Sequence, residues 1–189
     1  MRFIETPLSG VWVLELEEIE DERGWFVRTF DAEEFRARGL NHDIVQCNAS
    51  FNLRAGTLRG MHYQAAPHGE SKLVRCVRGA IFDVAVDLRR DSPTYRDWHG
   101  VQLSADNRLA FYISAGLGHG FQTLTDDTEV LYQMGNPYVP EAGRGVRWDD
   151  PAFGIEWPVV ESERTISAKD SSYPDLSVLD LPRSSDVQR

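Results

Sequence analysis

Two cysteines, Cys47 and Cys76, are all that the 189 residues contain, with no CxxC pair and no disulfide-framework spacing. Two reduced thiols follow, and neither sits in a pattern that asks for catalysis. Lysine is as scarce, with Lys72 and Lys169 standing against eighteen arginines. The N-terminus MRFIETPLSG lacks the apolar run of a signal peptide, and no window approaches the roughly eighteen apolar residues of a membrane span. A cytoplasmic protein without a membrane partner is expected. Positive charge is short overall, 20 basic against 30 acidic residues, for a net charge of −10. Such a surface repels a phosphate backbone and argues against a nucleic-acid partner. The apolar content of 41% can fill the core of one domain, which makes a disordered or fibrous reading poor. A single domain over residues 1–176 and a polar, loosely held tail over 177–189 are expected.

The charge is unevenly spread. Residues 51–80 carry five basic side chains against one acidic, while the stretches 1–50, 81–140 and 141–189 are each net acidic. One basic island in an acidic chain suggests a pocket for a small anion. Chance fluctuation over thirty residues is the plainer alternative.

Strand signals dominate the chain. Val11 to Glu17 alternates as a half-buried strand, with Trp12, Leu14 and Leu16 on one face. Lys72 to Val77 and Ala80 to Leu88 flank Arg78-Gly79 and read as a hairpin. Leu109 to Ile113, Gly120 to Leu124 and Glu129 to Met134 are further strands. One helix is well punctuated, Asp31 to Arg38: Asp31 caps it, Glu34 holds the capping-box position and Gly39 supplies the stop. Short strands between Gly, Asn, Asp and Pro, without a strand-helix-strand rhythm, predict an antiparallel sandwich or barrel.

The basic island also holds the densest chemistry, Arg59-Gly60-Met61-His62-Tyr63-Gln64 followed by Lys72 and Arg75. Gly60 suggests a bulge that re-aims its neighbours. A second glycine-punctuated imidazole, His119, leads into a strand; a lone strand histidine is usually structural, and two in such contexts carry more weight. Alternation over Glu129 to Met134 puts Tyr132 on the face of Val130 and Met134, where a buried hydroxyl needs a partner. Asp170, in Ser167-Ala-Lys169-Asp170, is of interest only if it folds back to orient an imidazole.

Taken in order, Asp21-x-Arg23-Gly24-x-Phe26, Gln46-x-Asn48-x-Ser50, Gly56-x-Leu-Arg59-Gly60-x-His62-Tyr63-Gln64, Lys72-Leu-Val-Arg75, Asp83-Val-Ala-Val-Asp87-Leu-Arg89, Ser92-Pro-Thr, Gly118-His119-Gly120-Phe121 and Trp148-x-Asp150-Pro151 resemble the dTDP-4-dehydrorhamnose 3,5-epimerases over about residues 1–175. The resemblance implies a mainly β, cupin-type antiparallel jelly-roll barrel with a few short helices, and a homodimer that exchanges N-terminal strands. It implies a cofactor-independent isomerase acting on a nucleotide-linked 4-keto-6-deoxyhexose, whose C3 and C5 protons are acidified by the C4 ketone. Inversion then needs a base on one face, an acid on the other and a holder for the enolate charge. By match to the family motifs, His62 is the base, Asp170 its orienting partner, Tyr132 the opposite acid and Lys72 the oxyanion stabiliser. Arg23, Gln46, Asn48, Arg59 and His119 match positions that hold diphosphate, sugar or base; Phe26 and Tyr138 match site aromatics. Arg28, Cys47, Gly118 and the Gln133-Met-Gly-Asn stretch depart from the family pattern, which leaves the nucleobase open, as well as inversion at C3 or C5 alone.

Two other classes stand beside this reading. Many cupins hold a metal through His-x-His, a later Glu and a later His; here Gln64 takes the second position, although His62, Glu70 and His119 still make a possible set of three. A metal-dependent cupin oxygenase is therefore the competing enzyme, and a sugar-nucleotide binding protein without turnover the non-enzymatic one. The loss of one imidazole favours metal-free proton transfer.

Overall fold

A computed structural model describes residues 1–160, 163–179 and 181–186. Fourteen strands are present among them: β1 (Arg2–Glu5), β2 (Val11–Glu15), β3 (Glu18–Asp21), β4 (Gly24–Val27), β5 (Gln46–Asn52), β6 (Thr57–Gln64), β7 (Lys72–Arg78), β8 (Ala80–Asp87), β9 (Trp98–Ser104), β10 (Ala110–Ile113), β11 (Leu117–Thr123), β12 (Thr128–Met134), β13 (Gly143–Gly145) and β14 (Thr165–Ile166). The helices are short, α1 (Ala32–Arg36) and α2 (Ala168–Ser171). One sheet runs β1-β2-β10-β7-β12-β5 and the other β13-β6-β11-β8-β9, with β14 added in parallel against β6. All other pairings are antiparallel, which gives the expected jelly-roll sandwich. No described helix is long and apolar enough to cross a membrane.

Between the sheets lies a core of Val74, Ile81, Phe111, Phe121 and Val130, all nearly or fully buried. Strand alternation sends the other side chains outward, and each outer face has its own cover. On the first sheet Phe35 of α1 packs on Leu14 and on the Tyr112 ring, 5.6 Å away. On the second, Leu58, Met61, Val84 and Val86 meet Val146, Phe153, Trp157 and Leu176. Each such side chain contributes roughly 1.5–3 kcal/mol on leaving water. Cys76 is inside, where burial pushes its thiol up to about 11, and Cys47 is exposed; both are free.

Four local expectations change. The segments around Arg78-Gly79 are not a hairpin, because β7 and β8 belong to different sheets. Gly79, at φ +76, is a corner between them, and a Cβ there would meet the hydroxyls of Thr125 and Thr128 at 2.4 and 2.5 Å. Strand β2 is covered on both faces rather than one, Val13 by the core and Leu14 by α1. The α1 cap is half as expected. Asp31 accepts from the Glu33 and Glu34 amides, whereas the Glu34 carboxylate lies 3.5 Å from the N-terminal ammonium. Finally, the stretch expected to hang loosely supplies buried Leu181 to the second outer cluster, and Arg90 donates to the Leu179 carbonyl.

The β3–β4 hairpin forms a two-stranded sheet of its own. Arg108 ties it to the barrel by pairing with Glu18 and lying 4.8 Å from the centre of the Trp25 ring. Its Ile19, Trp25 and Phe26 are all exposed.

Candidate active site

Strand β6 has one residue too many. Opposite it on β11, His119 pairs with His62 and Phe121 with Arg59, so the single residue Gly120 of β11 faces two of β6, Gly60 and Met61. The surplus is the expected bulge at Gly60, whose φ is +138. A Cβ there would sit 2.5 Å from the Gly120 Cα, so the backbones of β6 and β11 approach as only glycine permits. The bulge breaks the alternation and lets both Arg59 and His62 face the interior. They line a cavity of about 250 Å³, together with His119 and Phe121 of the same sheet and Asn48, Ser50, Lys72, Tyr132 and Met134 of the other. A larger hollow of about 380 Å³, lined by Ser9, Asn41, Arg89 and Tyr112, contains no imidazole or ammonium.

His62 Nε2 lies 2.7 Å from Asp170 Oδ1. A carboxylate only accepts, so Nε2 carries the proton and Nδ1 is left as the basic nitrogen. Asp170 reaches this place from α2, whose N-cap Ser167 accepts the Asp170 amide at 3.0 Å; the Gly60 amide donates to Oδ2 at 3.4 Å. Burial pushes the Asp170 carboxyl up, but the His62 hydrogen bond and charge, with Gly60 and Ser167, outweigh it and hold the group below the usual range.

A second pair stands beside the first. His119 Nε2 is 2.7 Å from Asp83 Oδ1, with both side chains buried and Asp83 Oδ2 lacking a partner. Burial drives the Asp83 carboxyl up, against the opposing charges of His119 and Lys72.

Across the cavity the Tyr132 hydroxyl meets Ser50 Oγ at 2.9 Å. Burial lifts the phenol well above its ordinary range, the Ser50 bond opposes this, and the Asp83 charge adds to it. Lys72 Nζ donates to the His62 carbonyl at 3.3 Å and pairs with Glu70 at 3.2 Å. Arg59 Nε donates to Asn52 Oδ1 at 2.8 Å. The two sheets therefore present unlike chemistry to one space: a carboxylate-bound imidazole on one wall, and a protonated phenol and an ammonium on the other.

Of the residues expected at a site, His62, Tyr132, Lys72, Asn48, Arg59 and His119 converge here, with Asp170 behind His62. Gln46 stands one step out, donating to Asn48 Oδ1 at 3.1 Å and accepting the Tyr138 amide at 3.0 Å. The Tyr138 ring is more than half exposed. Arg23 and Phe26 do not line the cavity: they ride on the separate hairpin, where Arg23 pairs with Asp21. Asp83, Ser50 and Tyr173 have no role at this site in the sequence reading, and Glu70 enters it only as a possible metal ligand. Ser50 shares strand parity with Asn48, a usable signal. Tyr173, 5.8 Å from His62 ring to ring, follows α2 and had none. The set of three considered for a metal does not assemble. His62, His119 and Glu70 are engaged with Asp170, Asp83 and Lys72, and no three His, Cys, Asp or Glu among the described residues gather as ligands.

The family model for dTDP-4-dehydrorhamnose 3,5-epimerase matches residues 5–177. The chain belongs to this family. It is thus an isomerase, an epimerase of nucleotide-linked sugars, in a cupin-type barrel. The dTDP-4-dehydrorhamnose 3,5-epimerase of Methanothermobacter thermautotrophicus is 47% identical over 93% of this chain and 94% of its own. A dTDP-4-dehydrorhamnose 3-epimerase of Streptomyces niveus is 40% identical over 84% of this chain and 76% of its own. The Legionella pneumophila epimerase solved in complex with dTDP-4-keto-L-rhamnose superposes with a TM-score of 0.90 at 36% identity, covering 96% of this chain and 97% of that one.

Proposed function

We propose that this epimerase acts on dTDP-4-dehydro-6-deoxy-D-glucose, with His62 removing the proton next to the C4 ketone and Tyr132 returning one from the opposite face, at C3 and at C5. The observation that carries the reading is the facing of His62 on one sheet by Tyr132 on the other, across a cavity that also receives Lys72. Asp170 fixes the His62 tautomer and favours the imidazolium formed when Nδ1 takes the proton. The enolate leaves negative charge on the C4 oxygen, for which the Lys72 ammonium that lines the cavity is a fixed counter-charge. A phenol raised by burial keeps its proton at neutral pH, which suits a donor. Arg59 and Asn48, at the cavity wall, suit the diphosphate and sugar hydroxyls.

Each active site is completed in a homodimer. This reading is supported by the hairpin that carries Arg23 and Phe26, which is hydrogen-bonded to neither large sheet and presents Ile19, Trp25 and Phe26 to solvent. Exchange of N-terminal segments would bring these two side chains to the partner's cavity.

Incubation of the substrate in deuterated water, followed by proton NMR, tests the mechanism. Deuterium is expected at C3 and C5, and His62→Ala is expected to slow its uptake by about 10³-fold or more. Unchanged uptake in that variant would overturn the base assignment. Deuterium confined to C3 would instead assign the activity carried by the name of the Streptomyces niveus relative.

A further inference from the structure

The one acidic residue inside the basic stretch 51–80 is Glu70. Its side chain is as hidden as that of Lys72, each 8% exposed, and Oε1 lies 3.2 Å from Lys72 Nζ. The other oxygen, Oε2, is buried without a hydrogen-bond partner. A carboxylate so placed forgoes hydration on one side and is compensated through the charge it faces.

Lys72 has the complementary need. An ammonium taken out of water stays charged only where counter-charge and acceptors replace its hydration. Glu70 Oε1 supplies the charge, and the His62 carbonyl accepts a hydrogen bond at 3.3 Å. An ammonium has three N–H donors. Two are thus committed, and the third remains for the cavity that Lys72 lines. Because one of the two anchors is the backbone of His62 itself, the ammonium and the imidazole are held to a common frame.

We propose that Glu70 is a positioning residue of the epimerase reaction, holding the Lys72 ammonium oriented so that its remaining N–H meets the substrate oxygen on which enolate charge collects. The inference rests on the reading of Lys72 as the oxyanion partner. Glu70 itself does not touch substrate in this scheme and acts through Lys72. Its effect falls on the rate of proton removal, since the interaction strengthens as charge develops, and less on the binding of the ground state.

A double-mutant cycle on deuterium uptake by dTDP-4-dehydro-6-deoxy-D-glucose tests this, with kcat and KM measured for the native enzyme, Glu70→Gln, Lys72→Met and the double variant. Glu70→Gln is expected to lower kcat by about tenfold or more with KM within about twofold, whereas in the Lys72→Met background it changes kcat by less than about twofold. Glu70→Asp, which keeps the charge, is expected to recover part of the rate, and it carries the same cycle if Glu70→Gln does not fold. Equal losses in both backgrounds would overturn the proposal, since a merely structural role acts whether or not Lys72 is present. An unchanged kcat in Glu70→Gln, beside a slow Lys72→Met, would overturn it while sparing the role of Lys72. A native rate in Lys72→Met would remove the oxyanion reading, and the proposal with it.

Discussion

The imidazoles of two imidazole–carboxylate pairs stand on adjacent strands, directly opposite one another in register, and the two pairs have the same separation of 2.7 Å. Their electrostatics nevertheless point in opposite directions. His62 is 40% exposed and its carboxylate partner is met by His62, Gly60 and Ser167, so the Asp170 carboxyl is held low. His119 and Asp83 are sealed in, one carboxyl oxygen has no partner, and burial wins, so the Asp83 carboxyl is pushed high. A distance therefore does not define what a dyad does; the number of donors around the carboxylate and the access of water decide it. The first pair has the open, polarised imidazole that a base needs. The second is a closed pair, buried in the wall.

Gly60 touches both pairs, through its amide to Asp170 and through its close approach to Gly120, next to His119. Gly60→Ala is accordingly the largest expected perturbation. It should cost roughly 2–4 kcal/mol in denaturant unfolding, because a Cβ has no room and φ +138 is foreign to alanine. Asp170→Asn should separate the pairs more gently: folding is retained, and deuterium uptake falls by roughly 10²-fold because the imidazolium loses its partner. The pH dependence of stability gives the finest distinction. A carboxyl held low in the fold stabilises above the ordinary carboxylate range and loses that contribution as pH falls through its folded value, so the deficit of Asp170→Asn should shrink in acid. A carboxyl held high does the reverse. The unfolded chain ionises first, the native protein loses stability as pH rises above about 4, and the deficit of Asp83→Asn should shrink toward neutrality. Parallel slopes for the two variants in thermal unfolding across pH 3–7 would erase the contrast.

Much of this arrangement is legible in the chain because it depends on local rules. Period-two alternation in β12 turns Tyr132 inward with Val130 and Met134, and Gly60 between Arg59 and His62 announces the bulge that lets residues three apart share a face. What is not legible depends on distance or on layer. Asp170 meets His62 across 108 positions, and only the family resemblance joined them. Asp83 sits in a run, Ile-Phe-Asp-Val-Ala-Val, whose alternation cannot say which of two buried faces is the barrel interior. The misread hairpin at Gly79 has the same origin. A glycine after Arg78 signals a reversal, but a turn within a sheet and a corner between sheets use the same residue. Arg23 and Phe26 lie on a hairpin hydrogen-bonded to neither large sheet, so the strand pattern does not bring them to the cavity.

The tie between α2 and β6 also has a meaning in time. Both large sheets draw their paired strands from residues before 146, apart from the two residues of β14, whereas the carboxylate that orients His62 comes at position 170. A chain emerging in N-to-C order can thus close its barrel, with Tyr132, Lys72 and both imidazoles in place, before Asp170 exists. The carboxylate beside His62 is added late, by a one-turn helix laid on a wall already built, so a chain that stops short of that helix would hold the cavity's lining side chains and an imidazole without its acceptor.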